Sequence, residues 1–138
     1  MAISLVKAGV KINSVDLSSY VSAITINRGF EELEVTALGD AGRKFVKGLE
    51  TSTITLSLFN DTATATVLPT LQAAWGTTVT VTVIQEKGTA VSATNPLYTM
   101  SCLINNTQDV NGGPGDLGTQ DLTLTVNGTI AVATTGSF

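Results

Sequence analysis

Apolar residues and threonines alternate one for one along much of this chain. In "STITLSLF" Ile54, Leu56 and Leu58 fall on one side, and the same spacing recurs in "AITIN" (Ile24, Ile26), "ELEVTAL" (Leu33, Val35), "TTVTVTVI" (Val79, Val81, Val83), "YTMSCLI" and "DLTLTV" (Leu122, Leu124, Val126). A period of two is the side-chain repeat of extended backbone, so each stretch predicts a strand with one apolar face. The opposite positions hold Thr25, Thr53, Thr55, Thr80, Thr82, Thr123 and Thr125, and β-branched threonine suits a pleated surface turned to water or a polar partner. The pattern predicts a mostly β fold, a β-sandwich or barrel-like domain, and the 138 residues make a single domain over 1–138 with a modest core.

One helix interrupts this rhythm. Within "DTATATVLPTLQAAWG", Leu68, Leu71 and Trp75 follow helical spacing, Pro69 is tolerated in a first turn, and Gly76 stops the helix. Trp75 is expected to face the sheet. Three long connections are expected at 37–50, 86–96 and 107–120, and residues 131–138 are expected to be a flexible tail or docking arm.

Composition narrows the chemistry. The chain has no histidine, which removes the Ser/His/Asp triad, the Cys/His pair and imidazole metal sites. Cys102 is the only cysteine, so neither an internal disulfide nor a CxxC site exists, and its step with Tyr98, Met100 and Ile104 reads as a small core residue. The glycine-rich "NGGPGDLG" (111–118) lacks a lysine and leads into a strand, which reads as a turn rather than a phosphate cradle. Asp109, Asn111, Asp116 and Asp121 do not match the spacing of a calcium loop. No pair of carboxylates is marked for glycosidase work, and the sequons at Asn60, Asn105 and Asn127 are what a threonine-rich chain produces by chance. The expectation is no enzyme activity, no cofactor and no metal.

Net charge is −4 with a pI near 4.5, which opposes a protein that grips nucleic acid through its phosphates. Mean hydropathy is +0.31, yet threonine and serine interrupt every apolar run before the ~18 residues a membrane helix needs. The apolar stretch in "MAISLVKAGVK" is too short for a signal peptide, which leads to the expectation of a mature start near Met1 in a reducing compartment. Charged residues are only 13% of the chain, against about a quarter in ordinary soluble domains, an economy that fits a protein built to be in contact with others.

The scarce charge is concentrated. Arg43, Lys44 and Lys47 are three of seven basic residues, and they flank Phe45 and Leu49 in a loop that also holds Leu38 and Asp40. Such a protrusion offers charges for orientation and apolar anchors for burial, as an interface does; a solvated turn with Phe45 folded back on the core is the other reading. Glu31, Glu32 and Glu34, just before it, are either a solvated edge or the complementary surface for the basic loop of a neighbouring copy.

Between them, "DLSSYVSAITINRGFEELEVTALGDAGRKFVKGLETSTITLSLFND" and "AVSATNPLYTMSCLINNTQDVNGGPGDLGTQDLTLTVNGTI" resemble the tail tube proteins (major tail proteins) of long-tailed bacteriophages. Val35, Thr36, Leu38, Gly39 and Asp40 match the turn of that family, Arg43, Phe45, Gly48 and Leu49 its basic and aromatic loop, and Asp61 the end of the following strand. Asn95, Pro96, Tyr98, Gly115, Asp116, Leu117 and Gly128 carry the second half, so the likeness spans about 16–130. It implies a virion structural protein assembled in the bacterial host cytoplasm, whose copies join sheets into a ring, usually a hexamer, and whose rings stack into a tube. Loop 37–50 would touch the next ring, DNA would pass through without specific binding, and tail completion or tape measure proteins would be partners, with no membrane involved. Related folds also serve as capsid decoration proteins, which would bind capsid protein instead; a carbohydrate-binding β-sandwich is the third reading.

Overall fold

A computed structural model describes residues 7–138. Its strands are β1 (Gly9–Ile12), β2 (Val15–Asp16), β3 (Val21–Glu34), β4 (Phe45–Phe59), β5 (Thr78–Ile84), β6 (Leu97–Leu103), β7 (Thr119–Val126) and β8 (Ala131–Ala133), with one α-helix, α1 (Val67–Ala74). The mostly β reading with a single helix holds. All strands pair antiparallel in the order β2-β1-β5-β6-β7-β4-β3, and β8 pairs with Leu97–Thr99 of β6 beyond the point where β7 pairs with Cys102 and Leu103. β1 and β2 join through Asn13 and Ser14, both at positive φ, the backbone of a tight two-residue hairpin turn.

The period-two faces become the core. Ile54, Leu56 and Leu58 of β4, Leu122 and Leu124 of β7, Val81 of β5, Met100 and Cys102 of β6 and Ile12 of β1 are buried in one cluster. Strands from both ends of a single ordered sheet reach one core only if the sheet curls over it, so the body is one curled antiparallel sheet that stays open, with β2 and β3 at its edges, where a sandwich or barrel was expected. The intervening threonines remain exposed or half-buried, as their phase requires.

α1 closes onto this core through Val67, Leu71 and Ala74, at i, i+4 and i+7. The expected stripe through Leu68, Leu71 and Trp75 is therefore out of phase, and Trp75, at the C-terminal end of the helix, is 57% exposed instead of packed on the sheet. Small residues explain the error: Ala74 packs as closely as a larger side chain would. Pro69 does sit in the first turn, and Gly76, at φ 76°, ends the helix and donates its N–H to Ile104 O at 2.9 Å.

Two local ties order the longer connections. Asn95 is buried; its amide oxygen accepts the Glu86 N–H at 3.1 Å and its Nδ2 donates to Glu86 O and Thr89 O at 3.0 and 3.2 Å, holding 86–95 as a closed loop. Asp16 pairs with Lys87. Partial burial pushes the Asp16 carboxyl up, but hydrogen bonds from Lys87 and from the Ser18 hydroxyl and N–H outweigh it and hold the group at about 2, below its ordinary 3.8. Cys102 is fully buried, and desolvation pushes its thiol to about 11, far from a reactive thiolate. At the other end of the chain, the Phe138 ring lies at Gly9 and beneath Lys11, whose Nζ is 4.5 Å from the ring centroid.

Asn95→Ala leaves backbone groups of the 86–95 loop unsatisfied and should lower unfolding free energy by about 2 kcal/mol, read as a shift in denaturant midpoint. Because the folded Asp16 carboxyl titrates below its unfolded value, its contribution is present above pH ~4 and is lost as pH falls toward 2. Comparison of wild type with Asp16→Asn should show about 1 kcal/mol of that acid-side loss disappearing, a figure reduced for solvent screening of a partly exposed pair.

Candidate functional site

β3 and β4 are far longer than the other strands, at 14 and 15 residues. "AITIN" and "ELEVTAL" are one continuous strand through Gly29 and Phe30, not two, and the expected loop 37–50 contracts because the ladder continues to Glu34↔Phe45. β4 has β7 on its other side only from Thr53 to Phe59. Below Thr53 the hairpin therefore leaves the sheet as a two-stranded arm ending at residues 35–44.

A bulge sets the faces of this arm. Phe30 pairs with Glu50 and Glu32 with Lys47, so Gly48 and Leu49 together oppose Glu31. A Cβ on Gly48 would stand 2.9 Å from both Glu31 Cβ and Glu31 O, which makes glycine the residue that admits the bulge. The extra residue turns β4 over, so Lys47 and Phe45 share the face of Phe30, Glu32 and Glu34, while Leu33 and Val46 occupy the other. Lys47 Nζ stands 5.7 Å from the Phe30 ring centroid.

The tip is an ordered turn. Val35 donates its N–H to Lys44 O at 2.8 Å, and the Thr36 hydroxyl accepts the Lys44 N–H at 3.0 Å. Asp40 accepts the Ala37 N–H at 2.7 Å and pairs with Lys44 at 3.1 Å, interactions that hold its carboxyl below the usual range, the backbone hydrogen bond first. Gly39 takes φ 92°, a left-handed position.

The residues singled out from sequence all lie on this arm. Leu38 is fully exposed at the tip beside Asp40, Arg43 and Lys44; Phe45 is half-exposed on the ladder and does not fold back onto the core; Lys47 and Leu49 follow; Glu31, Glu32 and Glu34 occupy the opposite strand of the same hairpin. The acids are thus neighbours of Lys47 within one copy. Sequence reasoning passed over Phe30 and Val46 and read Leu33 as an ordinary strand position; each is about half-exposed, and together they make the arm apolar on both faces. Their signal was the continuation of apolar residues past the last core position.

A second feature is the outer edge of β3. No strand pairs with it among the described residues, so alternate residues along this 14-residue strand present unpaired N–H and C=O groups, next to an open recess of about 290 Å³ lined by Ile24, Ile26, Arg28, Val83 and Tyr98. Arg28 lies 3.9 Å from Glu50, whose carboxylate also accepts the Ile130 N–H. Among the described residues no helix is long and apolar enough to cross a membrane, and no three His, Cys, Asp or Glu side chains are grouped to hold a metal ion.

No family model matches the chain, and no curated protein matches its sequence. Solved structures do match its fold. One is a chain of the virion of a native gene transfer agent particle, at 14% identity and TM-score 0.76, covering 96% of this chain and 99% of that one. Another is a chain of the anti-feeding prophage baseplate, a sixfold-symmetrised structure, at 12% identity and TM-score 0.50, covering 96% and 97%. The fold is thus shared over nearly the whole length of this chain with components of particle assemblies.

Gly48→Val should unseat the bulge without touching the core. Hydrogen exchange should then speed up in 30–34 and 45–49 while amides of Ile54–Leu58 keep their protection; uniform loss of protection would mean that the bulge is part of the global fold.

Proposed function

We propose that this chain is a phage-type virion structural protein, the major tail tube subunit, which self-assembles into rings stacked around a DNA-conducting channel. The observation that carries the reading is the arm. A two-stranded ribbon with apolar side chains on both faces has no means of burying them within one copy, and an isolated ribbon is marginal in water. The unpaired β3 edge adds a second unsatisfied surface, and sheet extension between copies satisfies it. Edge pairing joins two different edges of the subunit, a heterologous contact that closes into a ring.

The virion and the baseplate that contain chains of like fold are multi-subunit particles, and the sixfold symmetry of the baseplate fits a hexameric ring for this chain. The excess of acids over bases suits a channel wall that conducts DNA without holding it. The lone thiol is buried and there is no histidine, which removes thiolate and imidazole catalysis and agrees with a structural role. Partners in this reading are further copies and the other proteins of the tail.

Negative-stain electron microscopy of the purified protein across a concentration series is the direct test, with rings or tubes expected as concentration rises. Phe45→Ala should raise the concentration needed for assembly about tenfold, equivalent to about 1.4 kcal/mol per contact. Wild-type protein that stays monomeric throughout, yet binds empty capsids when added to them, would replace this reading with that of a capsid decoration protein.

A further inference from the structure

The arm tip and the loop 105–118 lie at opposite ends of β4. Phe59 pairs with Thr119, Asn60 donates its N–H to Gly118 O at 2.9 Å, and Asn60 Nδ2 donates to Asp109 O at 3.2 Å, which fixes the loop at the far end of a strand of 15 residues, about 45 Å from the tip. The two ends differ in sign. From Gly88 to Phe138 the only charged side chains are Asp109, Asp116 and Asp121, while the tip, residues 35–44, carries Arg43, Lys44 and Asp40, one net positive charge; Lys47 behind it lies opposite Glu32, with Glu31 and Glu34 on the same strand.

Part of this charge is unanswered among the described residues. Asp16 has Lys87, Asp40 has Lys44 and Glu50 has Arg28, but among the described residues Asp109, Asp116 and Asp121 have no cation within ion-pair distance, and Arg43 has no carboxylate. Each end also exposes large apolar side chains. Leu38 and Phe45 stand at the tip; Val110, 96% exposed, and Leu117 stand on the loop. Trp75, exposed by the end of α1, shares with Gln72, Thr107 and Asp109 an open groove of about 330 Å³ beside that loop.

We propose that the arm tip of one copy, through Leu38, Arg43 and Phe45, docks on the acidic loop 105–118 and the Trp75 groove of a second copy, head to tail. The proposal rests on the tube-subunit reading and assigns its ring-to-ring contact a receiving surface. Apolar residues supply burial, and the opposite charges set register and exclude tip-to-tip or base-to-base contacts, which would oppose like charges. The occupant is another copy because the tip supplies both the sign and the apolar groups that the base lacks partners for.

The test is a charge exchange. Arg43→Glu with Lys47→Glu, and separately Asp109→Lys with Asp116→Lys, should each leave rings intact but raise the concentration needed for tubes at least tenfold. The chain carrying all four changes should recover tubes. Wild-type tubes should shorten as salt rises from about 0.05 to about 0.5 M, since exposed charges are screened over that range. Unchanged melting temperatures and circular dichroism would show that the variants are folded. Rings that stack equally well in both double variants, or four-change chains that form rings but never tubes, would overturn this contact and leave ring assembly standing. Wild-type rings that stack only when another tail protein is added would assign the acidic base to that partner and overturn the proposal. Wild-type protein that forms no rings at all would overturn the tube-subunit reading itself, and the contact with it.

Discussion

The ladder between β3 and β4 is the interaction on which the rest of the molecule depends. Over Ser52–Leu58 the inner face of β4 is buried, between β3 on one side and, from Thr53, β7 on the other, and it contributes Ile54, Leu56 and Leu58 to the core. The same strand then continues to Phe45 with β3 as the one strand paired to it among the described residues. One ladder, interrupted on the way by the bulge at Gly48 and Leu49, thus links the buried core to an arm whose apolar side chains are exposed. The core end anchors the ribbon, so the arm is presented in a fixed direction at little further cost in chain entropy, and pre-ordering of that kind makes later association tighter.

Charge economy follows from the same division. The body of the sheet keeps its outer face polar with threonine hydroxyls, which need no counter-ion and leave the electrostatic pattern to a few positions. Some of the charge is tied locally, as in Asp16 with Lys87 and Asp40 with Lys44, and some stands unpaired towards the two ends of β4, as Arg43 and Asp109 do. A sparse pattern is easier to read than a dense one: with few charges, one misplaced pair changes the sign of a contact.

Much of the body was legible because an extended chain repeats every two residues and its core positions do the same. Ile54, Leu56, Leu58, Val81, Val83, Leu122 and Leu124 are buried where alternation places them, and Cys102 joins them by phase. Legibility failed where a local device breaks the period. Gly29 reads as a strand breaker, yet β3 runs straight through it, with Thr51 O 3.3 Å from where its Cβ would stand. Gly48 reads as a loop residue, yet it permits the bulge that shifts β4 by one position, so Phe45 and Lys47 appear off-phase in a one-dimensional pattern. The helix failed differently: Ala74 packs in the core and Trp75 does not, the reverse of what residue size implies. Loop 37–50 drew attention as a candidate site through its charges, but the apolar faces of the arm that carry Phe30, Leu33 and Val46 became visible only once the register was known.

A contact that uses two different patches at opposite ends of one subunit has a further consequence. In the proposed stack, each ring that joins presents a fresh acidic base or a fresh arm tip identical to the one just covered, so addition is equally favourable at every step. Nothing in such an interface counts subunits. Nucleation is the sole point at which the chain itself can exert control, because the first ring must order its arms without a neighbour to bury them, whereas every later ring meets a complementary face already in place. Growth is therefore favoured over initiation, and the length of the assembly must be set by a molecule other than this one.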